Sequence, residues 1–185
     1  MKNPGGDSSP VLLRQVLETL HTESWAWALN CCDRHRADAE DVLQATYLKI
    51  LDGRARFDGR SSMLTWVFAV IRRTAADHRR RRFAGSFFRS PPRAACMAAD
   101  TLEVDDAAGS PEAELATKQA REAVLNALAV IARRQREIVM LVYYHDLTVE
   151  QAATVMGVSV GAARQHYARG KRALHALLAS RGIRP

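Results

Sequence analysis

The hydrophobic positions of the chain repeat with the period of an α-helix. Between residues 12 and 20, leucines and valines recur at spacings of three and four, which places them on one side of a helix. The same spacing returns in five later segments: residues 42–51, 63–71, 124–131, 138–142 and 163–178. No segment alternates polar and apolar residues convincingly with the period of two that a half-buried strand requires. The pattern therefore predicts an all-α protein.

Short polar signals predict where some of these helices begin and end. Asp38 is predicted as the N-cap of the helix that carries the apolar residues of 42–51. Gly53 follows the end of this helix, where a residue in the left-handed conformation is expected. Phe57 and Trp66 are predicted to be core residues, although Phe57 is also a candidate for stacking on a base.

The distribution of charge divides the chain and points to a polyanionic partner. Residues 72–93 carry eight arginines and one acid, residues 94–117 carry six acids and no Lys or Arg, and residues 151–185 carry six Lys/Arg and no acid. The net charge is +7 and the pI about 9.8, which favours nucleic acid or an anionic membrane as a partner.

Proline, glycine and serine in the middle of the chain indicate a linker between two helical domains. The predicted organisation is a disordered N-terminus over residues 1–10, a domain over 11–85, an acidic linker over 86–111 and a domain over 112–185.

No feature of the sequence predicts membrane insertion, a cofactor or a catalytic centre. The apolar run over residues 63–71 is too short to cross a bilayer, and the N-terminal residues MKNPGGDSSP contain no apolar signal region, so we expect a cytoplasmic protein. The three cysteines, Cys31, Cys32 and Cys96, are expected to be free thiols. Cys32 and His35 leave a zinc site as an alternative to core packing, and a redox role for the cysteines remains open.

The segment over residues 148–174, TVEQAATVMGVSVGAARQHYARGKRAL, predicts a helix-turn-helix. Thr148 and Gln151 fit a capping box, Gly157 fits the turn, and Ser159 is predicted to cap the second helix. That helix presents six polar or basic side chains suited to base edges and phosphates in a major groove: Arg164, Gln165, His166, Arg169, Lys171 and Arg172. The alternative is a helical hairpin with a solvated basic face.

Two separate segments resemble one protein family, in the order in which the family has them. Residues 38–51 (DAEDVLQATYLKIL) and 56–82 (RFDGRSSMLTWVFAVIRRTAADHRRRR) resemble conserved region 2 of extracytoplasmic-function (ECF) sigma factors of the sigma-70 family. Residues 131–174, which include RQREIVMLVYY and the helix-turn-helix, resemble region 4. The resemblance implies two small helical domains and a non-enzymatic factor that directs bacterial RNA polymerase core to specific promoters and starts promoter opening.

The resemblance also implies roles for individual residues. The surface for the clamp of the polymerase largest subunit would include Asp41, Gln44, Tyr47 and Leu48. The minus-ten DNA would be contacted by a loop and a following helix: Arg56, Asp58, Gly59, Arg60, Ser61, Ser62, Arg72, Arg73, Asp77, Arg79 and Arg80. The minus-thirty-five DNA would be contacted by Ser159, Arg164, Gln165, His166, Arg169, Lys171 and Arg172. The flap region of the polymerase, promoter DNA and an anti-sigma factor are the implied partners.

The sequence departs from the usual family pattern at several of these positions. Arg73 stands where the family usually has Asn, and Ala162, Ala163 and His166 replace a usual Thr-Val and Arg in the recognition helix. The acidic linker matches the family's inter-domain connector, which threads the polymerase channel, but a plain solubilising tether explains it equally well.

Three other functions are alternatives to this one. A regulator with a sensory N-terminal half would bind duplex DNA without polymerase, and a nuclease using the linker carboxylates would need a divalent metal. An adaptor that binds only proteins is disfavoured by the acid-free segment that begins at Gln151.

Overall fold

A computed structural model describes residues 10–86 and 111–180. Those residues form eight helices and no strand, which confirms the all-α prediction for this part of the chain. The helices are α1 (Pro10–Thr19), α2 (His21–Cys31), α3 (Arg36–Leu51), α4 (Met63–Ser86), α5 (Pro111–Val130), α6 (Arg133–Tyr143), α7 (Val149–Met156) and α8 (Val160–Ala179). None of these helices combines the length and the apolar character needed to cross a membrane.

The chain divides into two compact units, the first containing α1–α4 and the second containing α5, α6, α8 and the first part of α7. In the first unit, α2, α3 and α4 pack on one another around the fully buried Trp27. The indole N–H of Trp27 donates to the Phe68 carbonyl at 3.1 Å, and its ring stacks on Phe68 with centroids 5.7 Å apart. Because Trp27 lies on α2 and Phe68 on α4, this contact joins the two helices at the centre of the core.

The second unit has a core of its own, which α8 shares with α5 and α6. Leu128, Ile131 and Val139 form one buried cluster of this core, and partly buried residues of α8 pack against them. The inward side of α8 is thus apolar, which leaves its basic residues on the outward side. This is the arrangement that the helical spacing of residues 163–178 predicted.

The start of α3 differs from the prediction. His35, not Asp38, is the N-cap, and its ring nitrogen Nδ1 accepts a hydrogen bond from the Asp38 backbone N–H at 3.3 Å. Asp38 lies in the first turn of the helix, and its carboxylate accepts a hydrogen bond from Arg82 of α4. The Asp38 carboxylate therefore forms an ion pair with a residue distant in the chain, although its residue type and position favour N-capping.

The ends of the predicted linker coincide with helix ends. Ser86 is the last residue of α4, and Pro111 is the first residue of α5, a position that proline tolerates because its missing N–H has no helical partner there. The predicted disordered N-terminus (except Pro10), Cys96 and the rest of the predicted linker lie outside the described residues.

Candidate nucleic-acid interface

The outward side of α3 carries three of the four residues expected to contact polymerase. Asp41, Gln44 and Leu48 are exposed, and their spacing of three and four places them on one helix face. Leu48 is 56% exposed, so its apolar side chain is accessible on this face. Tyr47 is half-buried at the edge of this face, with its hydroxyl 3.3 Å from Nδ1 of His21. Burial raises the pKa of Tyr47, which keeps its hydroxyl protonated.

Acidic residues of α3 face basic residues of α4. The Asp38 carboxylate pairs with Arg82, and an oxygen of Asp41 lies 3.8 Å from Nε2 of His78. These two pairs are one helical turn apart on each helix, so they align the basic end of α4 along α3. Neither pair is predictable from local sequence patterns, because the partners lie far apart in the chain.

Among the five α4 residues expected to contact the minus-ten DNA, Asp77 and Arg80 pair with each other. Asp77 accepts from Arg80 and lies 3.8 Å from Nζ of Lys49, which also donates to Thr74. The remaining three are basic: Arg73 is exposed, and Arg72 and Arg79 are half-buried. Asp77 therefore positions the side chains of Arg80 and Lys49.

The loop between α3 and α4 is shaped by its own polar residues. Gly59 has φ +73°, and a side chain there would meet nothing within 4 Å, so its backbone is open to approach. The Arg60 N–H donates to the Asp58 carboxylate at 3.1 Å, and the Ser62 hydroxyl accepts from the Thr65 N–H at 3.2 Å, which caps α4. Arg56 is exposed and Ser61 is half-buried in the same loop.

The prediction that Phe57 belongs to the core is wrong. Its side chain is 38% exposed, and its ring lies edge-on to Trp66 with centroids 5.4 Å apart. Trp66 is itself only half-buried. The two rings form a small aromatic pair beside the loop, where an unpaired base has access to Phe57.

The helix-turn-helix forms as predicted, from α7, a turn and α8. The Gln151 N–H donates to the Thr148 hydroxyl at 3.2 Å, while the Gln151 side chain accepts from the Thr148 N–H at 2.8 Å. Gly157 in the turn has φ +62°. The Ser159 hydroxyl accepts from the Ala162 N–H at 3.2 Å, so Ser159 is the N-cap of α8.

The outward face of α8 carries the residues expected to contact the minus-thirty-five DNA. His166 is half-buried, and the other six residues are exposed: Ser159, Arg164, Gln165, Arg169, Lys171 and Arg172. The ammonium of Lys171 lies 4.8 Å from the ring centroid of Tyr167, a cation–π distance. Burial, and then the neighbouring Tyr143, raise the pKa of Tyr167 to about 12, so its ring stays neutral at physiological pH.

The inward face of α8 approaches α6 closely at Gly170. A β-carbon at this buried position would lie 2.8 Å from Cγ2 of Val139 and 3.0 Å from the carbonyl oxygen of Gln135. Such distances are shorter than van der Waals contact, so only glycine fits here without a shift of α6. This requirement was not predicted from the sequence, where the only local signal is a glycine inside a helix.

Two ion pairs of this unit were also missed. Glu150 of α7 accepts from Nη2 of Arg164 at 2.9 Å, and the buried Glu137 of α6 accepts from Nε of Arg133 at 2.9 Å. A hydrogen bond from the Glu150 backbone N–H, followed by Arg164, lowers the pKa of Glu150. The spacing of four between Arg133 and Glu137 was a signal that could have been used.

Each unit therefore offers a helix with outward-facing cations, and one of them is the second helix of a helix-turn-helix. Within the described ranges, no group of three or more His, Cys, Asp or Glu side chains is placed to hold a metal ion. These features define a helical DNA-binding protein.

Comparison with known proteins gives the family. Sigma-70 region 2 matches residues 17–83, and Sigma-70 region 4 matches residues 121–174. The chain belongs to the sigma-70 family and to its ECF group, whose members are promoter-specific transcription initiation factors for RNA polymerase. The region 2 match occupies the half of the chain in which a sensory domain would have to lie.

The relatives cover most of this chain. A probable RNA polymerase sigma-C factor of Mycobacterium bovis is 29% identical over 88% of this chain and 80% of its own. The ECF sigma factor SigF of Caulobacter vibrioides is 28% identical over 92% of this chain and 87% of its own. The sigma factor RpoE of Bartonella quintana, solved in complex with the anti-sigma factor NepR, has the same fold, with a TM-score of 0.68, 21% identity and coverage of 89% and 95% of the two chains.

Proposed function

We propose that this factor contacts RNA polymerase and promoter DNA through three surfaces, in domains that span residues 11–85 and 112–185 and are joined by the linker over 86–111. The observation that carries the proposal is the exposure of basic helix faces in both units, in the order region 2 then region 4. A factor that works on RNA polymerase acts in the cytoplasm. The polymerase catalyses nucleotidyl transfer, and the factor directs the polymerase to the promoter and starts promoter opening.

The polymerase surface comprises Asp41, Gln44, Tyr47 and Leu48 of α3 and binds the clamp of the largest subunit. An exposed leucine between polar side chains suits a protein partner, since burying it on association is favourable. The second domain meets the flap region. Because the Bartonella relative was solved with an anti-sigma factor, we infer a partner of that class here, which would compete for the same surfaces.

The minus-ten surface comprises the loop Arg56–Ser62 and the basic half of α4. Its α4 members are Arg72, Arg73, Asp77, Arg79 and Arg80. Arginines hold phosphates and stack on unpaired bases, and the open backbone at Gly59 admits a base extruded from the duplex. Asp77 contributes by orienting Arg80.

The minus-thirty-five surface is the outward face of α8. Its members are Ser159, Arg164, Gln165, His166, Arg169, Lys171 and Arg172. The helix enters the major groove, where arginine and glutamine are suited to base edges and the other cations to phosphates. Ser159 serves first as the N-cap, so its contact with DNA is through the helix terminus.

Templates that separate the two DNA surfaces test this division. With core polymerase, Arg79→Ala/Arg80→Ala is expected to lower binding to a single-stranded minus-ten oligonucleotide at least about tenfold, and to reduce the salt dependence of open-complex formation. Arg164→Ala/Arg169→Ala is expected to spare that oligonucleotide and weaken binding to the duplex upstream element. Arg14→Ala, an exposed arginine of α1, is the control for lost positive charge. Equal losses on both templates from both variants would refute the division.

A further inference from the structure

We infer that Glu150 is a positioning residue for base recognition, which fixes the guanidinium of Arg164 so that Arg164 selects one guanine in the upstream promoter element. The inference rests on the proposed placement of α8 in the major groove. Glu150 lies on the helix that precedes the recognition helix, and nothing in the resemblance to the family assigned it a role.

The pair connects the two helices of the helix-turn-helix. Oε1 of Glu150, in the first turn of α7, lies 2.9 Å from Nη2 of Arg164, in the second turn of α8. The residues are 14 apart in the chain, so the contact exists only when the turn at Gly157 has formed. Both side chains are exposed, and exposed pairs of this kind contribute little to folding stability. The consequence of the contact is therefore the orientation of Arg164.

The carboxylate is the fixed partner of the two. Glu150 lies in the first turn of α7, where the helix dipole favours a negative charge, and hydrogen bonding by its own backbone N–H, by Arg164 and by Thr148 lowers the pKa of its carboxyl. Thr148 is in turn held by the capping box with Gln151. Arg164, in contrast, has four rotatable side-chain bonds and would otherwise lose considerable rotamer entropy on binding DNA.

The guanidinium has enough donors for both contacts. It carries five N–H groups in one plane, and the bond to Glu150 uses Nη2 as donor. A two-point contact to guanine O6 and N7 needs two further N–H groups, directed in that plane. A carboxylate that fixes the plane on one side thus favours guanine, with its two acceptors, over the other bases.

The same carboxylate carries a cost in affinity. A negative charge beside the DNA surface repels phosphates, so it weakens binding to any sequence. A gain in discrimination can offset this loss, since specificity is a difference between affinities. The inference therefore predicts that removing Glu150 reduces selectivity without reducing binding to unrelated DNA.

The test is a base-substitution scan of the upstream element with holoenzyme assembled from core polymerase and the full chain. Arg164→Ala is expected to remove about tenfold of the preference for one G·C pair. Glu150→Ala is expected to lose about three- to fivefold at the same pair, with binding to nonspecific DNA unchanged or tighter, and the double variant is expected to match Arg164→Ala. Glu150→Gln, which keeps an acceptor oxygen, should retain part of the preference. Glu122→Ala, an exposed acid of α5, controls for net charge.

The outcomes separate this inference from the proposed function. If Arg164→Ala leaves discrimination unchanged at every position, the assignment of Arg164 to the upstream element fails. If Arg164→Ala reduces the preference for the G·C pair but Glu150→Ala does not, the role of Glu150 is overturned and the assignment of α8 stands. The same holds if the loss of preference in the double variant is the sum of the losses in the two single variants. Unfolding temperatures measured for all variants show whether a loss comes from the fold.

Discussion

The close approach of α8 to α6 at Gly170 gives a stability prediction opposite in sign to the usual rule. In an exposed helix interior, Gly→Ala stabilises by about 1 kcal/mol, because alanine loses less backbone entropy on folding. At Gly170, the added methyl would meet Cγ2 of Val139 at 2.8 Å and the Gln135 carbonyl oxygen at 3.0 Å. Val139 is buried, and a backbone carbonyl cannot rotate away as a side chain can.

The expected magnitude follows from the two opposing effects. Overpacking a closely packed interior costs about 1–3 kcal/mol. Because one of the two clashing atoms is backbone, the cost lies in the upper part of that range, and the helix-propensity gain of about 1 kcal/mol offsets only part of it. We expect Gly170→Ala to destabilise the second unit by about 1–2 kcal/mol, which lowers its unfolding temperature by roughly 4–8 °C per kcal/mol.

Gly161 provides the matched control, since it lies on the same helix and a β-carbon there meets nothing within 4 Å. Gly161→Ala is expected to leave stability unchanged or raise it by up to about 1 kcal/mol. Urea unfolding followed by circular dichroism measures both variants, and amide hydrogen exchange in α6 and α8 locates the effect. If Gly170→Ala proves as stable as Gly161→Ala, α6 and α8 do not approach each other as closely as described.

Three further predictions concern other parts of the chain. Burial lowers the pKa of His145 to about 4, so the stability from its neutral form is present above pH about 6.5 and is lost as the pH falls toward 4. When the pH is lowered from 7 to 5, the free energy of unfolding, measured with urea, should fall by about 2 kcal/mol more in the wild type than in His145→Gln. An equal decrease in the two proteins would contradict this prediction. Trp27→Leu should cost about 3 kcal/mol or more, since it leaves a cavity and removes the donor to the Phe68 carbonyl; an unchanged unfolding midpoint would rule this out. Leu48→Asp should weaken binding to core polymerase at least about tenfold, with unchanged stability. Leu12 is similarly exposed (58%, compared with 56% for Leu48), and Leu12→Asp should leave this binding unchanged. Similar binding by the two variants would argue against the proposed polymerase surface on α3.

Most of the helices and the caps at Thr148 and Ser159 were predictable from the sequence, because they depend on residues within one or two turns of each other. The capping box at Thr148 and the cap at Ser159 need only a partner three residues away. The outward face of α8 follows from helical periodicity alone. By the same reasoning, a local rule fails where a distant residue competes. Asp38 is an intrinsically good N-cap, yet its carboxylate is taken by Arg82, 44 residues later.

The finer organisation of the candidate sites could not be predicted, because it depends on which helices meet. The pairing of Glu150 with Arg164 requires the turn between α7 and α8, and the constraint at Gly170 requires the position of α6. The exposure of Phe57 reflects a loop whose course no pattern in the sequence determines. In each case the missing information is a tertiary distance rather than a local preference.

Because the ring of Phe57 lies edge-on to Trp66, the fluorescence of Trp66 can report on what binds at Phe57. All three tryptophans of the chain lie at or before position 66, and Trp27 is fully buried, whereas Trp66 is half-exposed beside the loop. A nucleobase that stacks on Phe57 changes the polarity around the Trp66 indole, and indole emission depends on that polarity. Strand capture by this factor is therefore expected to be visible in its intrinsic fluorescence, without a dye attached to either protein or DNA.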